Sequence, residues 1–277
     1  MESSIEIGFL RVTEKAAIAA ARTMGYGKRK YSDQVAVEAM REELNRLKMR
    51  GTVVIGEGER DKAPMLYVGE PLGRGWTEGE IYPEVDIAVD PLEGTTLCAK
   101  NQQDAICVLA MAERGGLLNA PDVYMHKIAI GAHYPEGTVD LDRSATENVK
   151  ALAEAKGVPY TEITACVLDR PRHAALIEEL RVANIPVKLI GDGDIAGVIH
   201  ATNTEESGID IYLGSGGAPE GVLAAAALRC VGGQMQGRLI LDTPEKRERA
   251  QRMGIADPNR KYSVDELASG DVLFAAT

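Results

Sequence analysis

Val85-Asp86-Ile87-Ala88-Val89-Asp90-Pro91-Leu92-Glu93-Gly94-Thr95 is the stretch on which the fold turns. Its β-branched run reads as a strand, and the acids at its end read as a site. The strand delivers Asp90 into a turn built by Pro91, with Glu93 three residues on and Gly94-Thr95 following. Carboxylate oxygens are hard ligands suited to Mg²⁺ or Mn²⁺, and no paired His or Cys stands nearby to favour zinc. The Thr95 hydroxyl is placed to orient an attacking water or to take its proton. Taken alone, the segment reads more readily as a solvated acidic turn with a helix-capping threonine.

Working outward, Thr52 to Ile55 forms a second short strand that also ends in acids, Gly56-Glu57-Gly58-Glu59-Arg60-Asp61. Glycine permits unusual backbone angles there, and Glu57 and Glu59 alternate in direction. Ala105 to Ala112 continues as a buried strand. Two amphipathic helices precede these strands. The first carries Phe9, Val12, Ala16, Ala19 and Thr23 on one stripe and closes at Gly25. The second is expected to start with Ser32 as N-cap, to bury Ala36, Met40, Leu44 and Leu47, and to stop before Gly51. Asp33, just inside it, reads as a residue set against the helix dipole or as a further metal-facing acid.

Beyond residue 145 the pattern alternates: helix Ala145 to Ala155, strand Ala165 to Leu168, helix Pro171 to Val182, strand Val187 to Ile190, helix Ile195 to Ala201, strand Ile209 to Leu213. An Ala-rich helix from Pro219, strand Arg238 to Leu241 and helix Pro244 to Met253 follow. This alternation predicts a largely parallel sheet covered by helices. A division near residue 145 would give a metal-binding half, 1–145, and a half carrying substrate- and phosphate-binding loops, 146–277. Gly214-Ser215-Gly216-Gly217-Ala218-Pro219-Glu220-Gly221 is read as a strand-to-helix loop whose amides could cradle an anion and whose Glu220 could reach a metal. Close packing of helix on sheet would explain the glycines as well. The Lys-Ser or Lys-Thr ending of a nucleotide-binding P-loop is absent. Arg170-Pro171-Arg172-His173 offers two guanidinium groups for bidentate phosphate binding. Asp192-Gly193-Asp194 can accept hydrogen bonds from sugar hydroxyls or cap the next helix. Asp271 to Thr277 reads as a buried strand without a polar tail, so further C-terminal sequence is expected.

Composition narrows the partners. Across 277 residues, 31 Lys and Arg against 42 Asp and Glu give a net charge of -11. That balance argues against a nucleic-acid backbone or an anionic membrane as partner. The N-terminus is acidic where a secretory signal is basic, and no apolar run approaches the roughly 18 residues of a membrane span. A cytosolic, soluble protein is expected. Cys98, Cys107, Cys166 and Cys230 are scattered without metal-type pairing, as in the interior of a reduced protein.

At Asp90 to Thr95 the sequence resembles the metal-binding signature of the lithium-sensitive phosphomonoesterase superfamily. It is most similar to the bacterial class II fructose-1,6-bisphosphatases, through Gly56 to Glu59, Ala63 to Tyr67, Asn119 to Met125, Arg170 to His173, Asp192 to Asp194 and Gly216 to Gly221. These motifs follow in matching order over nearly all the chain. The resemblance implies an α/β fold, a layered αβαβα sandwich of the sugar-phosphatase type. It implies Mn²⁺ or Mg²⁺ held by Asp33, Glu57, Asp90, Glu93 and Glu220, with Thr95, Glu59 and Asp61 as catalytic residues. It further implies substrate contacts from Glu93, Gly94, Thr95, Tyr124, Arg170, Pro171, Arg172, Asp192, Gly193, Asp194 and Gly217. The reaction implied is hydrolysis of the 1-phosphate of fructose 1,6-bisphosphate, and of sedoheptulose 1,7-bisphosphate as in photosynthetic relatives, a step of gluconeogenesis and the Calvin cycle. A homo-oligomer, dimer or tetramer, with no nucleic-acid or membrane partner, is expected. Two residues depart from the pattern: Arg29, between Lys28 and Lys30, stands where lysine is common, and His126 stands where an acid is usual. An inositol-type monophosphatase, which would have no need of Arg170 and Arg172, and a non-catalytic sugar-phosphate- or metal-binding protein are the alternative readings.

Overall fold

The computed structural model describes residues 3–56, 66–77 and 81–277. The chain divides into two compact units, residues 1–120 together with 268–277, and residues 121–267. The division expected near residue 145 therefore falls inside the second unit. Along the chain come α1 (Ser3–Ala21), α2 (Arg29–Leu44), β1 (Arg50–Ile55), β2 (Pro71–Leu72), β3 (Glu84–Glu93), α3 (Thr95–Ala99) and β4 (Ile106–Glu113). The second unit holds β5 (Tyr124–Ile130), α4 (Ala145–Lys156), β6 (Ala165–Leu168), α5 (Ala174–Val182), β7 (Val187–Ile190), α6 (Asp194–His200) and α7 (Thr204–Ser207). It continues with β8 (Ile211–Gly217), α8 (Ala218–Val231), β9 (Gln234–Leu239), α9 (Pro244–Arg252), β10 (Tyr262–Ser263) and α10 (Val264–Leu267). The chain then returns to the first unit as β11 (Val272–Ala276). The protein is thus a mixed α/β fold with a mixed sheet in each unit.

In the first unit the strand order is β11–β4–β3–β1–β2, with β1 and β3 parallel and the β3–β4 and β4–β11 pairs antiparallel. Val85, Ile87 and Val89 alternate onto one face of β3 and join a core that includes Val12 and Ala16 of α1 and Met40 and Leu44 of α2. Spacings of three and four bring these helix residues onto single stripes. Helix α2 begins a turn earlier than expected, at Arg29, so Ser32 is not its N-cap. The buried Ser32 hydroxyl donates instead to the Lys28 carbonyl at 3.3 Å and accepts from Thr23 at 2.6 Å. Asp33 consequently sits in the second turn, beyond the reach expected of a dipole partner. Arg41 anchors the helix by a forked contact, Nε to Glu70 Oε1 at 2.7 Å and a second nitrogen to Oε2 at 3.2 Å. At the other end of the order, among the described residues, β11 pairs with β4 alone, and of its five residues Ala275 is the buried one. The run is therefore half-covered, not the buried strand expected.

In the second unit the order is β10–β9–β5–β8–β6–β7. Parallel pairing is confined to β6 with its neighbours β7 and β8. Strand β5, which the alternation after residue 145 does not anticipate, lies antiparallel between β8 and β9. Its presence changes the reading of the glycine-rich segment. Gly214 to Gly217 pair with Lys127 to Tyr124, so these residues are strand and not loop. Helix α4 opens on a capping box, Ser144 accepting from the Glu147 amide while Glu147 accepts from the Ser144 amide. Its apolar face, with Val149 and Leu152, meets Val167, Leu180 and Ile211 in a separate core. Cys98, Cys107 and Cys166 are buried as expected, whereas Cys230 is exposed. Among the described residues no helix is long and apolar enough to cross a membrane.

One buried acid serves the fold of the first unit. Asp86, 4% exposed, accepts the Gly115 amide at 2.8 Å and so fixes the turn that follows β4. Burial pushes its carboxyl up against those hydrogen bonds, which draw it down. Replacement Asp86→Ala releases the Gly115 amide, leaves the buried Leu117 amide without its acceptor and is expected to cost about 1–3 kcal/mol. Urea denaturation followed by circular dichroism measures the loss, and a value near zero would assign the turn's stability elsewhere.

Candidate active site

In the first unit the decisive feature lies between Asp90 and Glu93. Asp90 pairs with Val108 and Glu93 with Ile106, so three steps along β3 match two along β4. The extra residue is a β-bulge, and it falls at Pro91-Leu92, where a proline costs no ladder hydrogen bond. Residues three apart on a regular strand point to opposite faces. The bulge gives Asp90 and Glu93 partners two apart, and so a common face. The Leu92 amide donates to Asp90 Oδ1 at 3.1 Å, which fixes the aspartate, and Glu93 is buried.

Gly94 then takes φ 79°, and a Cβ there would lie 2.9 Å from Leu97 Cδ1. Only glycine makes this left-handed step without strain. It starts α3 at Thr95, which is half-buried. The carbonyls closing α3 are held from another part of the same unit: Gly25 N–H donates to Cys98 at 3.0 Å and Gly27 N–H to Ala99 at 2.9 Å. The residues that follow open α2, and Arg29 donates to the Thr96 hydroxyl at 3.3 Å. Asp33 lies one turn further along that helix, half-buried. Burial first, and the Asp90 charge second, pushes the Cys107 thiol well up, so it offers no thiolate nucleophile beside these acids.

In the second unit β5 carries Tyr124 at its start, a residue 48% exposed. The Arg172 guanidinium stacks 4.7 Å from the ring centroid and donates to the Ser215 carbonyl at 2.8 and 3.1 Å. His173 supports the same serine. Its Nε2 accepts the Ser215 amide at 2.8 Å, which makes Nδ1, 2.8 Å from the Leu168 carbonyl, the protonated nitrogen. Beside them a cavity of about 280 Å³ is faced by Arg143, Arg172, Arg238, His126 and His173. Burial above all holds both histidines below their ordinary value. Arg170 donates to Asp192 Oδ1 at 3.3 Å, which joins two of the expected substrate residues; Pro171 is exposed, and Gly193 makes the left-handed step into α6.

Asp194 does not present its carboxylate as the hydroxyl-binding role supposes. It is 6% exposed and paired with Lys127, which is 1% exposed and also donates to the Gly217 carbonyl at 2.8 Å. A Cβ at Gly216 would fall on the Asp194 carboxylate and one at Gly217 on the Glu220 carboxylate, so close approach explains both glycines. Glu220, in the first turn of α8, keeps Oε2 buried with no hydrogen-bond partner among the described residues. Burial first, and Asp194 second, holds its carboxyl above the ordinary range, while Lys127 draws it down.

Glu57, Glu59 and Asp61 lie outside the described residues. Among the described residues no three His, Cys, Asp or Glu side chains gather closely enough to hold a metal ion. Lys127, Ser215 and the structural part played by His173 escape the sequence reading. A signal for Lys127 does exist: Met125, Lys127 and Ala129 share the parity of a buried strand face, where a lysine requires an internal partner.

The family described as bacterial fructose-1,6-bisphosphatase, glpX-encoded, matches residues 3–277. Similar proteins include the D-fructose 1,6-bisphosphatase class 2/sedoheptulose 1,7-bisphosphatase of Synechococcus elongatus, 48% identical over 301 residues covering 100% of this chain and 85% of that protein. The protein of the same name from Crocosphaera subtropica is 48% identical over 296 residues, with the same coverage. Among solved structures, the extragenic suppressor protein suhB of Bartonella henselae aligns at 15% identity and a TM-score of 0.39, covering 73% of this chain and 74% of that one.

The His173 arrangement predicts a pH response. Its folded-state pKa lies below the unfolded value of about 6.5, so its stabilising effect is present above that pH and is lost as pH falls through the folded pKa. Unfolding free energy measured from pH 7.5 to 5.5 should therefore decline, and decline less steeply in His173→Gln. Equal slopes in the two proteins would show that His126 or the carboxylates govern the acid limb.

Proposed function

The chain belongs to the bacterial, glpX-encoded fructose-1,6-bisphosphatase family, and from that premise we propose how its residues divide the work. It is a phosphoric monoester hydrolase that converts fructose 1,6-bisphosphate and water to fructose 6-phosphate and phosphate. Sedoheptulose 1,7-bisphosphate is the second substrate, in line with the names of the cyanobacterial relatives. The observation that carries the bisphosphate reading is the Tyr124–Arg172 stack, with its guanidinium at 4.7 Å from the ring. A cation and a phenol so placed suit a phosphate that is held and not cleaved. An inositol-type monophosphatase has no use for such a pair.

The cofactor is Mn²⁺ or Mg²⁺, with Asp33, Glu57, Asp90, Glu93 and Glu220 as ligands. The donor set fits a hard cation, and the Oε2 of Glu220, buried and without a hydrogen-bond partner among the described residues, is an oxygen donor left open for one. When bound, the cation supplies Lewis-acid polarisation of the phosphoryl group and neutralises its charge. The rest falls to side chains. Thr95 Oγ1 orients the attacking water, and Glu59 and Asp61 act with it on the strength of the resemblance. Water adds to phosphorus, the bond to the C1 oxygen breaks, and that oxygen takes a proton. Arg172 and Tyr124 grip the distal phosphate, Arg170, Pro171, Asp192, Gly193 and Gly217 enclose the sugar bisphosphate, and Glu93 and Gly94 complete the contacts at the reacting end. The protein works in the cytoplasm as a homo-oligomer, dimer or tetramer.

Two substitutions test this division. Thr95→Ala should lower kcat by the ~10²-fold to 10⁴-fold of a lost proton-transfer contribution with little change in KM, while Thr95→Ser keeps much of the rate. A rise in KM alone would make Thr95 a binding residue. Arg172→Ala should reduce kcat/KM for fructose 1,6-bisphosphate by an amount equivalent to about 2–5 kcal/mol and leave hydrolysis of p-nitrophenyl phosphate nearly unchanged. Equal losses on the two substrates would remove the case for a second phosphate grip.

A further inference from the structure

Lys127 is a fully buried cation of the second unit that the reaction leaves without a role. It lies on β5 between Gly214 of β8 and Gly237 of β9 and is 1% exposed. An ammonium group at that depth is tolerated only when paired. Its stem runs under the first turn of α8, where a Cβ on Gly221 would lie 3.6 Å from its Cδ. The ammonium group reaches the Asp194 carboxylate, at the first residue of α6, and the Gly217 carbonyl, at the N-cap of α8. Glu220 sits three residues beyond that N-cap with Oε2 buried and unpartnered among the described residues. The hydrogen bonds decide which carboxylate the ammonium serves: Lys127 is spent on Asp194 and the Gly217 carbonyl, and Glu220 Oε2 is left open.

We propose that Lys127 is a positioning residue whose capture by Asp194 and the Gly217 carbonyl keeps its ammonium group off Glu220, so that Glu220 Oε2 stays open to a divalent cation. Gly216 and Gly217 serve the same end, since a side chain at either would push Asp194 or Glu220 out of place. This rests on the reading of Glu220 as a metal ligand. It makes Asp194 a holder of lysine, and it accounts for a buried carboxylate where a sugar-facing one was expected.

The test is Mn²⁺ binding by isothermal titration calorimetry to the folded protein, with thermal unfolding of each variant alongside. Asp194→Asn releases Lys127 to pair with Glu220 and should weaken Mn²⁺ binding roughly tenfold or more, because a neighbouring charge is cancelled at low dielectric. Adding Lys127→Met to Asp194→Asn removes the intruding charge and should restore affinity to within about threefold of the unaltered protein. A purely structural role for Asp194 or Lys127 would instead leave the double variant as weak as the single one, or weaker, and that result overturns the proposal. If Asp194→Asn alone fails to fold, the charge-balanced double variant still decides, since it must bind Mn²⁺ nearly as the unaltered protein does. Glu220→Gln separates the two levels. Unchanged Mn²⁺ binding in Glu220→Gln removes the metal-ligand reading and the proposal with it, whereas weakened binding there with normal binding in Asp194→Asn removes the proposal alone.

Discussion

An acid on a β-strand faces one side of the sheet or the other, and its parity is set by the pairing register. Asp90 and Glu93 are three apart, so a regular β3 would send them to opposite faces. The single residue gained between the pairs Asp90–Val108 and Glu93–Ile106 reverses that. Much else in the first unit follows from this slip. Pro91 is admitted because the ladder is already broken, Gly94 turns the chain in a left-handed step, and Thr95 begins a helix directly behind the acids. The amides of Gly25 and Gly27 then bind the end of that helix and fix where α2, with Asp33, departs.

The second unit solves a different problem, that of keeping charges of both signs inside without cancelling the useful ones. Arg172 is held by a serine carbonyl and an aromatic face, neither of which neutralises a cation. Its neighbour His173 is held below its ordinary value by burial first, with the Arg172 and Arg170 charges acting the same way, while its ring nitrogens meet the Leu168 carbonyl and the Ser215 amide at the arginine-rich cavity. Lys127, by contrast, is given a carboxylate outright. The difference is one of depth: an exposed guanidinium remains hydrated, whereas a fully buried ammonium does not.

How much of this is legible in the sequence depends on whether local chemistry or distant pairing decides. The alternation of Val85, Ile87 and Val89, the helix stripes, and the strands Ala165–Leu168 and Val187–Ile190 are local, and the structure has them where periodicity puts them. Strand β3 running on through Pro91 is not local, because proline and two acids read as a turn until β4 is set beside them. Gly214 to Gly217 likewise read as loop because the strand that makes them strand, β5, lies some ninety residues away, and Tyr124 to Ile130 stood within a motif and outside any expected alternation. Ser32 looks like a cap by composition, yet a buried partner, Thr23, draws its hydroxyl into the helix. The Asp90–Thr95, Arg170–Arg172 and Glu220 chemistry was visible as residue types. The lysine that Asp194 needs was visible only as a wrong parity. The acids Glu57, Glu59 and Asp61 stay where sequence and family place them, outside the described residues.

The return of β11 to the first unit bears on how the chain folds. Its residues pair with β4 more than 150 positions earlier, the Thr277 backbone exchanges hydrogen bonds with Cys107, and the Thr277 hydroxyl meets that of Thr13 across a separation of 264 residues. Residues 121–267 form a continuous stretch and can condense from contacts within themselves. The first unit cannot add β11 to its sheet until that stretch has been made, so during synthesis that edge of β4 waits for its partner, as an open template for another strand. Closing so long a loop is slow relative to the local steps before it, so the pairing of residues 272–276 with β4 follows the condensation of residues 121–267.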